Sequence, residues 1–584
     1  MIRFDQYVPL TDSTQPDRPG RELLGPCDED ERVAAVVVLR RTPDFHGSPA
    51  FEGLAGAIRQ RAGKWAAGSL PREACVAAES DVDLVRKFAA QYNLTVSQLH
   101  PRSRAIRLLG TAGDVSKAFH VELLRATHNG TVYITHRGEI EIPEAAKATI
   151  VSVLLDGTPP DTLGNGGGDL SPLSPSEVAQ LYNFPTDSTG AGTSIALIAL
   201  SGGYQDSDIT ALLNTSNYSI VNAGTGNNVF DTSPASMELT TALEIALSIA
   251  PDATVVVYFA PSNDLSGLAE VLGVVEADDT YNLCALAQYI GWPETLISGA
   301  NQLQAVHGLF EDLAGTLAMA VFAPSGDTGT ACGATDGSVN VLYPASDPFV
   351  TGCGGTQLQD WNLETGAFTE VAWDAAAGAA GATGGGVSTL AAIGNSAPPG
   401  WQAAPLVQVP YLLNTQAQGR GVPDIAANAS DLSPYGIYFN SKPGARGGTS
   451  SVPPLYAGLM ALITEKTNSL LSQLFVPPLA GSPAPMSVVG MQFNLFVYGA
   501  ACGSPPLFSS ITCCGNNGFT MPGAQASSPG YPVATLTGSP PSPPPNNLSS
   551  WDACTGLGRI DATALWDALS SMIATIALFA SLGL

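Results

Sequence analysis

The sequence predicts an α/β fold in which helices cover both faces of a mostly parallel sheet. Three segments without charged residues are predicted strands: Thr193–Leu200, Thr254–Ala260 and Ala318–Ala323. The segments Pro234–Ala250 and Gln302–Leu317 have helical patterns and lie between these strands. Strands that are apolar along their whole length and alternate with helices are typical of parallel sheets buried on both faces.

A chain of 584 residues is long enough for two domains. The segment Gly157–Pro172 is rich in Gly, Pro and Asp, a composition that indicates a connecting loop. We therefore delimit an N-terminal domain at residues 1–156, a linker at 157–172 and a large domain at 173–584.

The N-terminal domain has short strands and helices that predict a small open sheet of the ferredoxin-like α/β kind. The predicted strands are Val33–Leu39, Ala105–Leu109, Val121–Ala126 and Val132–Thr135. The predicted helices are Asp81–Tyr92 with Ser80 as N-cap, Ala112–Phe119 and Glu144–Leu155. We expect the helices to lie on one face of this sheet.

The charges are distributed unevenly between the domains. The net charge of −27 argues against nucleic acid as a partner. Residues 1–170 hold 19 of the 24 Lys and Arg residues, whereas 29 of the 51 Asp and Glu residues lie beyond them. The acidic large domain indicates either adaptation to acid, where protonation removes repulsion, or a merely soluble acidic surface. We expect the N-terminal domain, which holds most of the basic residues, to dock on it and present some of them to it.

The sequence says less about the compartment. No uncharged apolar run is long enough to span a membrane, and no signal peptide is visible after Met1. Four of the nine cysteines, Cys502, Cys513, Cys514 and Cys554, crowd the C-terminal part without a nearby histidine, so a zinc site is not predicted. One or two disulfides, which would indicate an oxidising compartment, and buried free thiols both stay open.

The segment Gly447–Pro454 is a candidate seat for a nucleophile. Its glycines and hydroxyl residues predict a tight turn, and Pro453 and Pro454 suit the first turn of the apolar helix that follows. Ser450 would then lie beside a helix N-terminus, where backbone N–H groups stabilise negative charge. A Gly/Ser turn before a core helix is the alternative without chemistry.

Carboxylates are the candidate bases for such a serine. The large domain has one histidine, His307, in an apolar helical pattern that predicts a core or surface role. Glu238 and Glu244 lie in the predicted helix Pro234–Ala250, and Asp327 follows a predicted strand. Carboxylate bases work best at low pH, and the carboxyl ends of parallel strands are where α/β sheets bind ligands. The alternatives are a helix-dipole partner for Glu238 and a Gly/Asp turn for Asp327.

Five motifs occur in order along the large domain: Ser176–Pro185, Ser325–Gly329, Arg420–Asn428, Gly448–Leu455 and Trp551–Gly558. Together they resemble the sedolisins, the family of serine-carboxyl peptidases, and its kumamolisin-like members in particular. The first 160 residues resemble the prodomain of such enzymes. The resemblance implies a subtilisin-like fold, protein or peptide substrates, a removable prodomain that acts as inhibitor, a structural calcium ion, and an extracellular or acidic compartment.

Residue by residue, the resemblance makes Ser450 the nucleophile and Glu238 its base. It makes Asp327 a neutral carboxyl that donates a hydrogen bond to the oxyanion, a role that requires an acidic medium. The aspartate expected four residues after the glutamate is Ala242 here, and the glutamate expected in the first strand is Ala199. Two carboxylates that would orient Glu238 are therefore missing.

The calcium ligands implied by the resemblance are also altered. Asp552 is present, but Ser510 stands where an aspartate is expected before the carbonyl of Ile511. Calcium prefers several oxygen ligands including carboxylates, so we expect weak binding or none. A disulfide of Cys513 or Cys514 is an alternative device at this place.

Two hypotheses about function follow. The chain is an acid-acting serine endopeptidase zymogen with a reduced Ser450–Glu238 pair and impaired activity, or it is a catalytically inactive sedolisin homologue that acts as a binding or structural protein. The candidate catalytic residues that are present favour the first hypothesis. The substitutions at Ala242, Ala199 and Ser510 favour the second.

Overall fold

The computed structural model of the chain describes residues 4–15, 21–41, 75–97, 100–128, 131–155, 157–158, 172–297, 299–333, 338–374, 380–388, 390–395, 399, 402, 419–474, 493–500, 507–509, 511 and 551–581. Ser510, Cys502, Cys513 and Cys514 lie outside these ranges, and so do the predictions that rest on their side chains. Most of the predicted linker 157–172 lies outside them as well.

The N-terminal domain is built on an antiparallel sheet. Its strands are β1 (Tyr7–Pro9), β2 (Glu22–Pro26), β3 (Arg32–Leu39), β4 (Thr95–Ser97), β5 (Ala105–Thr111), β6 (Glu122–His128), β7 (Thr131–Arg137), β8 (Glu141–Pro143) and β9 (Ile150–Leu154). Its helices are α1 (Glu79–Gln91) and α2 (Ala112–Phe119). The order β4-β5-β3-β9 forms the main sheet, and β2-β6-β7 forms a second one. Both helices pack on one face of the main sheet, as predicted, around Phe88 and Phe119.

Two local predictions in this domain are wrong. Helix α1 begins one residue after Ala78, whose side chain cannot cap it, and Ser80 lies inside the helix. The predicted helix Glu144–Leu155 is a short 3-10 turn, Glu144–Ala146, followed by strand β9. The β-branched residues of β9 favour a strand, and pairing with β3 buries Val153 on one face of the sheet and Leu154 on the other.

The large domain contains a mostly parallel sheet, which confirms the predicted fold class. Its strands are β10 (Ser194–Ala199), β11 (Ser219–Gly224), β12 (Thr254–Phe259), β13 (Leu283–Ala287), β14 (Trp292–Pro293), β15 (Ala320–Pro324), β16 (Leu342–Tyr343), β17 (Thr351–Asn362), β18 (Ala367–Ala372), β19 (Gly386–Ser388), β20 (Arg420–Val422), β21 (Ile425–Asn428), β22 (Tyr435–Phe439), β23 (Lys442–Arg446), β24 (Phe508–Ser509) and β25 (Arg559–Ile560). The order β11-β12-β10-β13-β15-β17 is parallel throughout, and β17 also pairs with β21 in parallel and with β18 antiparallel.

Helices cover both faces of this sheet. The helices of the large domain are α3 (Pro175–Leu181), α4 (Asp206–Leu213), α5 (Pro234–Ile249), α6 (Leu265–Ala277), α7 (Ala300–Glu311), α8 (Val452–Leu474), α9 (Phe493–Ala500) and α10 (Ala562–Ser581). Helices α5 and α8 pack together on one face, and α6 and α7 pack together on the other. Gly458 allows the close approach of α8 to α5, because a Cβ at this position would lie 2.7 Å from the side chain of Ile249.

The N-terminal domain docks on α6 and α7 through the second face of its main sheet. Val36, Val38, Ala105 and Leu154 of this face join the core of the large domain. Polar contacts reinforce the docking, since the Asn301 side chain donates to the carbonyl of Val151 at 3.1 Å. The predicted contact between the two domains is therefore confirmed.

Two expectations about the compartment concern helices and thiols. Within the described ranges, none of the helices combines the length and the apolar character that crossing a bilayer requires. Among the described residues, Cys27, Cys284 and Cys353 are free thiols.

Candidate active site

Ser450 lies in a 3-10 turn, Thr449–Ser451, that runs directly into helix α8. Gly448 precedes the turn with a φ of 129°, a backbone conformation that favours glycine. Its N–H donates to the carbonyl of Ala429 at 2.6 Å. This hydrogen bond fixes the turn to the residue that directly follows strand β21. The local structure is therefore the predicted tight turn at a helix N-terminus, with the Ser450 side chain buried.

Asp327 reaches the same place from the carboxyl end of β15. Gly326 has a φ of 112° and turns the chain there. The N–H and Oγ1 of Thr449 donate to Asp327 Oδ1 at 2.8 and 2.7 Å, and Thr449 Oγ1 accepts from the N–H of Gly326 at 3.1 Å. Since Oδ1 accepts both hydrogen bonds from Thr449, the proton of a neutral Asp327 carboxyl would lie on Oδ2.

Glu238 completes the group from helix α5, which Ser233 caps and Pro234 begins. Its side chain is buried, and burial raises the pKa of the Glu238 carboxyl, while the Arg446 charge and the Ser450 hydroxyl oppose this rise and the Asp327 charge adds to it. The structure thus brings the three predicted residues together. Their catalytic roles stay predictions.

The Ser450 hydroxyl and the Glu238 carboxylate are neighbours that do not form a regular hydrogen bond. Ser450 Oγ is buried and makes no hydrogen bond within the described part of the chain. The hydroxyl nevertheless lies near enough to Glu238 to lower the pKa of its carboxyl. Catalytic hydrogen bonds are often long without substrate and shorten when it binds, so the geometry is compatible with a base and its nucleophile.

Arg446 is a member of the site that sequence reasoning missed. Its Nη2 donates to Glu238 Oε1 at 2.6 Å, and the two side chains are only 9% and 1% exposed. It ends strand β23, four residues before Ser450. A signal was present in the sequence, because Arg446 is one of only five Lys and Arg residues in 171–584.

The β22–β23 hairpin that carries Arg446 is held by two buried carboxylates. Glu244 of α5 accepts the N–H of Tyr438 at 3.0 Å, and Asp208 of α4 accepts the N–H groups of Asn440 and Ser441 at 2.8 and 2.9 Å. Burial raises the pKa of Glu244 to about 9. Glu244, the second acidic residue of the predicted helix, therefore anchors a hairpin and is not bonded to Ser450.

Neither missing carboxylate is replaced in kind. Ala242 lies on α5 one turn beyond Glu238, Ala199 ends β10, and both are buried. Another group that the sequence did not indicate lies nearby, just beyond β13. The Tyr289 hydroxyl is buried without a hydrogen-bond partner in the described residues, and burial and the charge of Glu238 both raise the pKa of Tyr289.

His307 does not belong to this group. Its Nδ1 lies 3.0 Å from Asp347 Oδ2. Burial lowers the pKa of His307, but the charge of Asp347, its hydrogen bond and the charge of Glu311 together outweigh burial, so the pKa is raised overall. Among the described residues, His307 therefore pairs with Asp347 and takes no part in a Ser-His-Asp arrangement around Ser450.

The described part of the predicted calcium site fits the ion poorly. Asp552 Oδ1 accepts the N–H groups of Cys554 and Thr555, both at 2.8 Å, and Oδ2 accepts the Thr555 hydroxyl at 2.9 Å. Burial raises the pKa of Asp552 to about 6. The carboxylate thus stabilises its own turn, and the neighbour of Ile511 on the N-terminal side is an uncharged serine.

The docked N-terminal domain places arginines on carboxylates of α6, α7 and the turns that follow them. The nearest contacts are Arg104–Glu276 at 3.1 Å, Arg107–Glu270 at 2.6 Å, Arg41–Glu311 at 2.6 Å, Arg41–Asp312 at 2.7 Å and Arg102–Asp279 at 3.1 Å. Arg104 also pairs with Asp312. This confirms that basic residues of the smaller domain face the acidic large domain.

Comparison with known proteins gives a consistent result. Residues 19–157 match the family described as the pro-kumamolisin activation domain. Kumamolisin from Bacillus sp. (strain MN-32) is 31% identical over 471 residues, which cover 76% of this chain and 82% of the relative. Sedolisin from Pseudomonas sp. (strain 101) is 25% identical over 498 residues, which cover 80% and 75%.

A solved structure shows the same fold. Pseudomonas sedolisin, a serine-carboxyl proteinase complexed with two molecules of pseudo-iodotyrostatin, superposes with a TM-score of 0.52 at 23% identity. The match covers 69% of this chain and 99% of that chain. The large domain therefore has the subtilisin-like fold implied by the sequence motifs.

Proposed function

Because the chain belongs to the sedolisin family of serine-carboxyl peptidases, with kumamolisin as a relative, we propose that it is an acid-acting serine endopeptidase made as a zymogen. Its substrates would be proteins or peptides, and its own N-terminal domain would be its inhibitor. The observation that carries the proposal is the convergence of Ser450, Glu238 and Asp327 at one edge of the parallel sheet.

The proposed reaction has two stages, formation of the acyl-enzyme and its hydrolysis, and the same residues act in both. Ser450 Oγ attacks the peptide carbonyl as Glu238 takes its proton, and a neutral Asp327 donates a hydrogen bond to the oxyanion. Collapse of this intermediate breaks the C–N bond, and the leaving amine takes the proton from Glu238. Water then attacks the acyl-enzyme with Glu238 again as base, which releases the acid and restores Ser450.

We propose that this activity is impaired. Ala242 leaves Glu238 without the carboxylate expected at the next turn of α5. In the serine-protease template, removing the group that orients the base costs roughly 10⁴ in rate. We expect Ala242→Asp to raise acid peptidase activity and self-processing, and Ala199→Glu to raise it further, because the two positions would share one network.

Self-processing is the experiment that tests the proposal. Purified protein held at about pH 4, where carboxylate bases work, is expected to shorten slowly near residue 170 and to hydrolyse peptides. Ser450→Ala should abolish both reactions. The alternative function, a catalytically inactive binding or structural homologue, is favoured by Ala242 and Ala199. This alternative is supported if neither the natural protein nor the Ala242→Asp variant hydrolyses any peptide.

Two further proposals concern the ion and the compartment. We propose weak calcium binding or none, because Asp552 is engaged in its own turn and Ser510 is uncharged. Submicromolar affinity in a calorimetric titration with calcium would contradict this. The acid chemistry fits an extracellular or acidic compartment, and fractionation of the natural host that finds the chain at neutral pH inside the cell would argue against it.

A further inference from the structure

The candidate base has a cationic partner that comes from the segment carrying the nucleophile. Arg446 is bonded to Glu238 at 2.6 Å, and within the described ranges no other Lys or Arg forms an ion pair with this carboxylate. A buried carboxylate without a cation or hydrogen bonds tends to protonate, which would remove it as a base.

The guanidinium is held in place by its backbone. Strand β23 belongs to a hairpin whose tip is fixed to α4 by Asp208 and whose other strand is fixed to α5 by Glu244. Helix α5 also carries Glu238. The backbone that presents Arg446 is therefore tied to the helix that presents the base, so the two side chains have little freedom to separate.

We propose that Arg446 is the positioning residue for Glu238 and takes over the task of the carboxylate that Ala242 replaces. This rests on the proposed function only in taking Glu238 as the base. Because Glu238 Oε1 accepts the guanidinium N–H, Oε2 is the oxygen that would receive the proton of Ser450. A guanidinium donates from a rigid planar fork and carries a permanent charge, so it fixes the carboxylate and keeps it ionised.

The charge gives Arg446 a consequence that a merely structural residue lacks. The groups that face Glu238 are Arg446 from β23, Ser450 from its turn, Asp327 beyond β15 and Tyr289 beyond β13. Arg446 and Ser450 favour the ionised carboxylate, whereas burial and the Asp327 charge favour the protonated form. Loss of the Arg446 charge should therefore raise the pKa of Glu238 and move the acid limb of the pH–rate profile to higher pH.

The test compares Arg446→Gln and Arg446→Lys with Lys442→Gln, a matched control that removes an exposed charge from the same strand. Infrared titration of the carboxylate bands, with Glu238→Gln as reference, reads the pKa of Glu238 in the full chain without any turnover. We expect Arg446→Gln to raise this pKa by about 1–3 pH units, the usual effect of one close opposite charge. Arg446→Lys should raise it less, and Lys442→Gln should not change it.

Peptide hydrolysis across about pH 3–6 is the second readout, since carboxylate bases titrate there. The acid limb of kcat/KM should shift with the measured pKa in Arg446→Gln and recover in part in Arg446→Lys. An unchanged Glu238 pKa in Arg446→Gln overturns the inference whatever the activity. A raised pKa with no peptide turnover in any form supports the inference and contradicts the proposed peptidase function. If Arg446→Gln fails to fold, the same decision rests on Arg446→Lys.

Discussion

Two groups of buried carboxylates in this molecule, at the domain interface and in the candidate active site, differ in where their compensating cations come from. At the domain interface, Glu276 and Glu270 are paired with Arg104 and Arg107, which the N-terminal domain supplies. In the candidate active site, the cation belongs to the large domain itself. Removing the N-terminal domain would therefore take the compensating arginines away from the interface carboxylates and leave the Glu238 pair intact.

The scarcity of cations in the large domain makes this difference informative. Only five Lys and Arg residues lie in 171–584. Four of them form ion pairs with carboxylates of the same domain: Arg420–Asp424, Arg446–Glu238, Lys466–Asp187 and Arg559–Glu370. The three arginines of this set are almost fully buried. The large domain thus places its own arginines at internal sites, whereas the described interface pairs use arginines of the smaller domain.

The largest expected effect at the interface comes from Arg104→Ala. The change removes the cation that Glu276 and Asp312 share, while both carboxylates stay buried. Breaking a buried ion pair in this way costs about 3–5 kcal/mol. Native-state hydrogen exchange of α6 in the intact chain measures the loss as easier opening. Arg125→Ala is the matched control, because Arg125 pairs with Glu31 on the exposed surface of its own domain and should cost about 0–1 kcal/mol.

The pH dependence of docking is the next effect. Burial raises the pKa of Glu270 from 4.5 to about 7, and it also raises the pKa of Glu276. Undocking would expose both groups and return each pKa toward its ordinary value, so the docked state binds more protons. Docking should therefore strengthen as the pH falls from above 7 to about 4.5 and weaken as it rises.

Calorimetric unfolding of the intact chain at several pH values between these limits tests whether the docked state becomes more stable as the pH falls. Glu270→Gln, which cannot ionise, should flatten the dependence and serves as the control. Release of the N-terminal domain on acidification alone, with no cleavage in a Ser450→Ala background, would contradict the pKa argument.

The smallest expected effect concerns the exposed edge of the interface. Arg102 and Asp279 are 29% and 57% exposed, so Arg102→Ala should cost about 0–1 kcal/mol of docking. Salt screens such exposed pairs and leaves buried ones largely unaffected. Docking should then weaken only modestly at high salt, and a hydrogen-exchange series in sodium chloride measures this. A loss as large as that of Arg104→Ala would show that exposed pairs dominate the interface.

The sequence allowed the fold to be predicted where one pattern decided it. Uninterrupted apolar strands such as β10 and β12 indicated a parallel sheet correctly. The helix that the local sequence predicts for Glu144–Leu155 is wrong. The pairing of this segment with β3, a contact that no local pattern encodes, decided for a strand.

The candidate site was predictable in its motifs and not in its contacts. Ser450 and Asp327 were indicated by motifs of the family, and Glu238 was indicated by the same resemblance through its predicted helix. Arg446 and Tyr289 were not, because their importance comes from the direction in which buried side chains point after the β22–β23 hairpin and β13 pack. A rare cation near a candidate nucleophile was the one available signal.

The most direct test of the central claim, that Glu238 is the base for Ser450, is peptide hydrolysis across about pH 3–6 by the natural protein, the Ala242→Asp variant and each of them with Glu238→Ala added. General bases contribute roughly 10²–10⁴ in rate, so Glu238→Ala should lower turnover by about that factor and remove the acid limb of the profile. Robust turnover that survives Glu238→Ala with an unchanged pH profile would contradict the claim, because the base would then lie elsewhere.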